Sequence, residues 1–333
     1  MLLLSGMVAM MLMGMAFVPS DDASMADEDD GFLPDDPDQP DEGEDPDPVG
    51  PNPADHEPEP RPEPRPEPRP EPRPEPQPEP PPATQDGTGD ADWMYGSLDD
   101  DVLSGHGGHD DIRGAQGDDR ILGDAGSDTL LGDDDYGPGG RDTIDGGADG
   151  DFIGGQNNDD HLFGAGGDDT MFGGDGDDVV HGGTGDDWVG GNAGADTLTG
   201  GAGSDDLDGG QGNDLLLAAD DDRADFLHGG DGDDTLVAGR GDFAEGGAGR
   251  DLYRLGTGHD DDDGLPTFGE FATADDRIEV TLPHGYDQPG NLSAETDEDG
   301  SVVLRLDGTA IARVLQSDIA DVRDIAFTTV RAA

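Results

Sequence analysis

Asp recurs at positions 151, 160, 169, 178, 187, 196, 205 and 214, each step nine residues. An earlier block steps the same way through Asp92, Asp101, Asp110, Asp119 and Asp128. After an insertion around Asp133 to Tyr136 the series resumes at Asp142, then again at Asp225 and Asp234, and it closes at Asp251. In the repeat before Asp251, Phe243 stands where the Asp belongs. Carboxylates in a regular row repel one another unless cations lie between them. Gly-rich turns between them leave backbone carbonyls that also need partners. Carboxylate and carbonyl oxygens together are a hard ligand set, which suits Ca²⁺ better than the tight octahedron Mg²⁺ demands. No His or Cys cluster invites zinc.

Two further columns keep phase with the Asp. Two residues after each, from Asp101 onward, the side chain is apolar, from Leu103, Ile112 and Ile121 through Met171, Val180 and Val189 to Leu236 and Tyr253. Two residues before, Gly dominates, as at Gly167, Gly176, Gly185 and Gly194. The unit is G-G-x-G-x-D-x-U-x with U apolar, clearest in Gly173-Gly174-Asp175-Gly176-Asp177-Asp178-Val179-Val180-His181. Gly at three positions in nine excludes a helix, at about 1 kcal/mol each relative to Ala. A six-residue Gly turn alternating with a three-residue strand remains. Two units then make one coil, identical positions stack about 4.8 Å apart, and the apolar column points inward between two parallel sheets. The Asp fall on two edges, Asp151, Asp169, Asp187 and Asp205 on one and Asp160, Asp178, Asp196 and Asp214 on the other.

These columns resemble the RTX (repeat-in-toxin, hemolysin-type) calcium-binding repeat, over roughly residues 87–260, about half the chain. The resemblance implies an all-β fold, a right-handed parallel β-roll, with Ca²⁺ between successive turns held by the sixth-position Asp and by turn carbonyls. The ligands it implies are Asp101, Asp110, Asp119, Asp128, Asp142, Asp151, Asp160, Asp169, Asp178, Asp187, Asp196, Asp205, Asp214, Asp225, Asp234 and Asp251. Some repeats depart from the pattern and are expected to bind weakly or not at all: Arg223, Asp149 and Asn158 replace Gly, and Phe243 removes a ligand. The other Asp of many Gly-Asp-Asp pairs, such as Asp177 and Asp186, reads as a solvated charge. Outward residues at the seventh position include Phe152, Val179, Trp188 and Phe226. A glycan or partner surface is one reading of them, and scattered exposed apolars the other.

The rest of the chain supplies a setting. Residues 1–20 are apolar through Val18, with Ser24-Met25-Ala26 beyond as a cleavage site, and read equally as a cleaved export signal or an uncleaved membrane anchor. Either sends the remainder of the chain out of the cytoplasm. Residues 21–56 are acidic, Pro-rich and without apolar periodicity, hence disordered. Residues 57–86 repeat R-P-E-P through Pro82, which leaves polyproline II, a stalk of roughly 80 Å. Residues 261–333 read as a small β cap: Arg277 to Leu282 alternates like a strand, and Asp307-Gly308 between two apolar runs signals a hairpin. Phe268-Gly269-Glu270-Phe271 leading to Asp276-Arg277-Ile278 resembles the segment after the repeats in RTX proteins, where a type I secretion signal lies at the C-terminus. A plain cap is the alternative.

Composition narrows the function. The 333 residues carry 82 acidic against 16 basic side chains, a formal net charge of −66, and no Cys. Nucleic acid is excluded as a partner, since phosphates are held by clustered cations. Without Ca²⁺ such a polyanion does not offset its chain entropy, so binding free energy becomes folding free energy. No H-E-x-x-H or G-x-S-x-G motif occurs, and the expectation is a protein without catalytic activity. It reads as an extracellular or surface-anchored bacterial calcium-binding protein, structural or adhesive, with a calcium-regulated enzyme or toxin as the alternative.

Overall fold

A computed structural model describes residues 83–134, 137–218, 223–256, 264–272, 274–282, 291–315 and 326–331. The expected export segment (1–20), the acidic stretch (21–56) and residues 57–82 of the expected stalk lie outside these residues, as do residues 316–325, 332 and 333 near the C-terminus, where a type I signal is expected. Among the described residues there are strands and no helix. They form two sheets, of twelve and thirteen strands, and consecutive strands alternate between the two as far as Arg277–Leu282.

The nine-residue period explains the alternation. One unit supplies one strand, and the next unit supplies the facing strand, so like strands pair two units apart. Val179–Thr184 pairs in parallel with His161–Gly166 on one side and Thr197–Ala202 on the other, which sets Val180 between Leu162 and Leu198. In the facing sheet Thr170–Asp175 lies between Phe152–Asn157 and Trp188–Ala193, which sets Met171 between Ile153 and Val189. The product is a parallel β-solenoid of about nine turns over residues 83–255.

Two details differ from the expectation, and a third fixes the insertion it named. The first strand, Ala83–Asp86, pairs with Asp101–Ser104 and so belongs to the solenoid, four residues inside the stretch read as stalk. The alternating prolines end at Pro82, and from Ala83 to Asp86 every residue has an N–H to donate to a ladder. Most interior strands run six residues instead of three, as Val179–Thr184 does, because pairing resumes after the first turn glycine: it skips Gly182 and continues at Gly183 opposite Gly201. The insertion after Asp133 is pinned by that residue, whose buried carboxylate accepts the N–H of Gly140 at 2.9 Å and of Asn157 at 3.2 Å.

The apolar column forms one continuous core. Its members from Leu103 to Leu236 are essentially fully buried. Below Ala244, a small residue in that column, the core widens into an aromatic plug: Tyr253 packs against Phe268 at 4.6 Å and Phe271 at 5.5 Å between ring centroids. The Tyr253 hydroxyl accepts the N–H of Gly246 at 2.7 Å, which satisfies the polar tip of a buried ring. The solenoid then passes into the cap without a break. Arg277–Leu282 extends one sheet, and the hairpin Val302–Leu306 to Thr309–Val314 joins the other through Thr267–Phe268. Asp307 and Gly308 both have positive φ, 50° and 89°, as the tight hairpin turn requires.

Candidate metal centres

The geometry of each site follows from where the sixth-position Asp falls, at the end of the turn just before its strand. All sixteen expected Asp are buried, none more than 4 % exposed. From Asp110 onward each carboxylate reaches one coil back. The N–H of Asp142 donates to Oδ1 of Asp160, that of Asp160 to Asp178, and that of Asp178 to Asp196, at 2.7, 2.7 and 2.8 Å. On the other edge Asp151 donates to Asp169, Asp169 to Asp187 and Asp187 to Asp205, at 2.7, 2.9 and 2.9 Å. The two edges expected from eighteen-residue spacing are thus two hydrogen-bonded rows. They absorb irregular spacing: the link from Asp119 to Asp142 spans 23 residues, and that from Asp205 to Asp225 spans 20.

One oxygen of each of these carboxylates, Asp101 excepted, is spent in this way. The other, Oδ2 of Asp110, Asp119, Asp128, Asp142, Asp151, Asp160, Asp169, Asp178, Asp187, Asp196, Asp214, Asp234 and Asp251, is buried and accepts no hydrogen bond from the protein. Buried polar atoms are ordinarily satisfied, and a buried charge more stringently so. Beside each lies a turn glycine whose missing side chain makes room. A Cβ on Gly209 would sit 2.5 Å from Asp214 Oδ2 and 2.5 Å from the Gly229 carbonyl oxygen of the next coil, and one on Gly123 would sit 2.5 Å from both Asp128 Oδ2 and Gly146 O. Carboxylate and carbonyl oxygens therefore converge on a space left by glycine. Among the described residues no three His, Cys, Asp or Glu side chains gather at one point, so a cation here is held largely by backbone carbonyls. That donor set fits Ca²⁺.

Electrostatics point the same way. Burial pushes these carboxyls up, to about 9 for Asp160, about 8 for Asp119, about 7 for Asp142, Asp151, Asp178 and Asp187, and about 6 for Asp196, Asp214, Asp234 and Asp251. The ladder N–H opposes the shift, and neighbouring carboxylates add to it in most of these sites. A buried anion row of this kind calls for protons or for cations.

The backbone decides which carboxylates are left open. Four residues before the Asp, φ is positive at His106, Ala115, Asp124, Gln156, Ala165 and Asn192, as it is at the equivalent Gly147, Gly174, Gly183 and Gly210. At the start of the solenoid the equivalent residues, Thr88 and Ser97, instead donate their N–H to Oδ2 of Asp92 and Asp101, at 2.6 and 2.5 Å. Ala272 does the same for Asp276 at the other end, at 2.6 Å. The terminal rungs thus close their Oδ2 within their own turn, while Asp101 keeps Oδ1 open. Asp149 and Asn158, expected to weaken their repeats, hold the left-handed turn at φ 74° and 70°, a region Asp and Asn tolerate better than other residues.

Two ladder residues were missed in the sequence, and one reading is corrected. Phe243 does not replace an Asp. The repeat is one residue short, Phe243 pairs with Phe226, and Asp242 before it is fully buried and accepts the N–H of Asp225 at 3.1 Å. Aligning on the apolar column instead of counting nines reveals it, since Ala244 pairs with Leu227. Asp276, in Asp-Arg-Ile, repeats the Asp-x-apolar pattern inside the cap and accepts the N–H of Asp251 at 3.0 Å. The Asp one residue earlier in each unit is exposed as expected, but it is also bonded: Asp177 accepts the N–H of Ala195 at 2.8 Å, and Asp186 that of Ser204 at 2.9 Å.

The family model for the RTX calcium-binding nonapeptide repeat (4 copies) matches residues 86–121, 105–137, 154–189, 181–216 and 219–242. Repeats of this family bind Ca²⁺ at multiple sites. The matched segments cover most of both rows, and the ladder continues outside them through Asp142, Asp151 and Asp251. No curated protein matches the chain. These segments of the chain carry RTX calcium-binding repeats.

Proposed function

We propose that this RTX repeat protein works outside the cell as a calcium-dependent structural or adhesive element, without a catalytic centre of its own, and that it folds on binding Ca²⁺. The observation that carries the reading is the double row of buried Oδ2 atoms facing turn carbonyls. A row of anions at this spacing opposes the folded state until it is neutralised. Extracellular calcium modules bind at about 10⁻⁴–10⁻³ M, so the chain stays unfolded at cytosolic calcium and orders after export. RTX repeats typically belong to secreted bacterial proteins, and the apolar residues 1–20 together with the R-P-E-P stretch suit a chain held away from a membrane. Circular dichroism during a calcium titration, combined with cell fractionation with and without chelator, tests the reading. β structure that appears with calcium and surface material released by chelator are expected. A full β signal in excess chelator at neutral pH overturns it.

A further inference from the structure

One face of the solenoid carries aromatic side chains that the calcium rows do not use. Phe152, Phe172 and Trp188 stand on three adjacent strands, with Thr170 in register between Phe152 and Trp188. Phe172 meets Trp188 edge-on at 5.0 Å and 82°, and meets Phe152 at 5.8 Å and 53°. The rings hold one another in place while Phe152 and Trp188 stay 41 % and 44 % exposed. Phe172 is flanked in register by Gly154 and Gly190. A Cβ on Gly190 would press on the Phe172 ring at 3.2 Å. Neither glycine has a positive φ, so the backbone does not require them. Glycine inside a strand weakens it and marks a place where something approaches closely. Here the strand's side-chain space is given over to a cluster of mutually tilted aromatic rings.

The surroundings select the occupant. With 82 acidic against 16 basic side chains, the chain stays acidic after its buried rows take up Ca²⁺, which disfavours nucleic acid, anionic lipid, acidic polysaccharide and a second copy of the chain. Beyond Trp188 the next strand presents exposed Asp206 opposite Trp188 and Asp208 opposite Gly190. Ionised carboxylates only accept hydrogen bonds, so they favour a ligand rich in hydroxyl donors. An aromatic face bordered by acceptors matches an uncharged sugar, whose C–H faces lie on the rings while its hydroxyls donate to the carboxylates. We infer that Phe152, Phe172 and Trp188, with Asp206 and Asp208, form a binding platform for a neutral polysaccharide. This gives the adhesive reading a ligand class and rests on the calcium-folded state.

The test uses the full chain in millimolar calcium, with folding verified by circular dichroism. Affinity electrophoresis and tryptophan fluorescence are recorded against soluble hydroxyethylcellulose, mannan, xylan and dextran, with alginate and a single-stranded oligonucleotide as anionic comparisons. Trp93 and Trp188 are the two tryptophans, so in W93A the emission reports Trp188 alone. Retardation by at least one neutral polysaccharide is expected, with an emission change retained in W93A. W188A should bind at least about tenfold more weakly, with W188F intermediate and D206N reduced severalfold. A folded chain that no neutral polysaccharide retards overturns the platform while leaving calcium folding intact. Equal binding by W188A overturns it too, as does preference for an anionic polymer. A dimer in sedimentation velocity that W188A abolishes would assign the face to a second copy instead.

Discussion

The backbone N–H of Asp160 donates to Oδ1 of Asp178, eighteen residues on, at 2.7 Å, while Oδ2 of the same Asp178 carboxylate is buried with no donor from the protein. One side chain thus serves both as a tie between coils and as an open ligand. The two roles separate by substitution. D178N keeps an acceptor for Asp160 but removes the charge, so calorimetry should show loss of calcium binding at that rung with modest loss of stability. D178A also strands the N–H, and should cost about 1–3 kcal/mol more in calcium-saturated denaturant melts. Equal effects of the two would refute the division of labour.

Gly209 offers a cleaner way to close one site. Its backbone does not need glycine, yet a Cβ there would occupy the space between Asp214 Oδ2 and Gly229 O, 2.5 Å from each. G209A should reduce the number of calcium ions bound and raise the midpoint of the calcium titration. Gly210, next to it, has φ 97°, so G210A should destabilise the roll through backbone strain as well as crowding. Unchanged stoichiometry in G209A would show that the cradle is not where the cation lies.

The pH dependence in chelator has a definite sign. The carboxyls of Asp160 and Asp119 are pushed from 3.8 to about 9 and about 8 in the fold, and several others to about 6 or 7, by burial first. A raised folded value means that protonation favours the fold. The stabilisation is complete below the ordinary carboxyl value and is lost as pH climbs through about 6 to 9. Calcium-free protein should therefore gain β structure on moving from pH 8 to pH 5, read by far-ultraviolet circular dichroism. With calcium present the dependence reverses, because protons compete for Oδ2, and apparent affinity should fall over the same range.

In the core, L198A removes a fully buried side chain from the middle of the apolar column, and should cost about 2–5 kcal/mol in calcium. D177A, by contrast, removes an exposed acceptor of the Ala195 N–H. Its effect should stay within about 1.5 kcal/mol, the usual net worth of one hydrogen bond. Urea melts of both variants in calcium decide the ranking.

Much of this architecture was legible because one period controls three columns at once. Asp178, Val180 and Gly176 lie at fixed offsets, and a slip of a single residue would exchange inside for outside, so the phase alone assigns the edges and the core. Counting failed where the chain drops a residue. Asp242 was hidden because the step from Asp234 is eight, and only the pairing of Ala244 with Leu227 restores it. Nor does composition show that Thr88 and Ser97 turn their N–H groups onto Asp92 and Asp101, since that depends on the sign of φ at one position. The aromatic plug of Tyr253, Phe268 and Phe271 escaped for a similar reason: its members come from repeat and cap, with no period linking them.

The tie from Asp119 to Asp142 bridges 23 residues at 2.8 Å, the same length as the tie from Asp178 to Asp196 across 18. The junction after Asp133 therefore tolerates added chain without any change in the pitch of the coils. Because loop closure grows only logarithmically, each doubling of that loop costs about 0.6 kcal/mol. This makes the junction a port for grafting: a foreign peptide or small domain inserted there would be carried on the flank of a calcium-set rod, displayed or withdrawn with the ion.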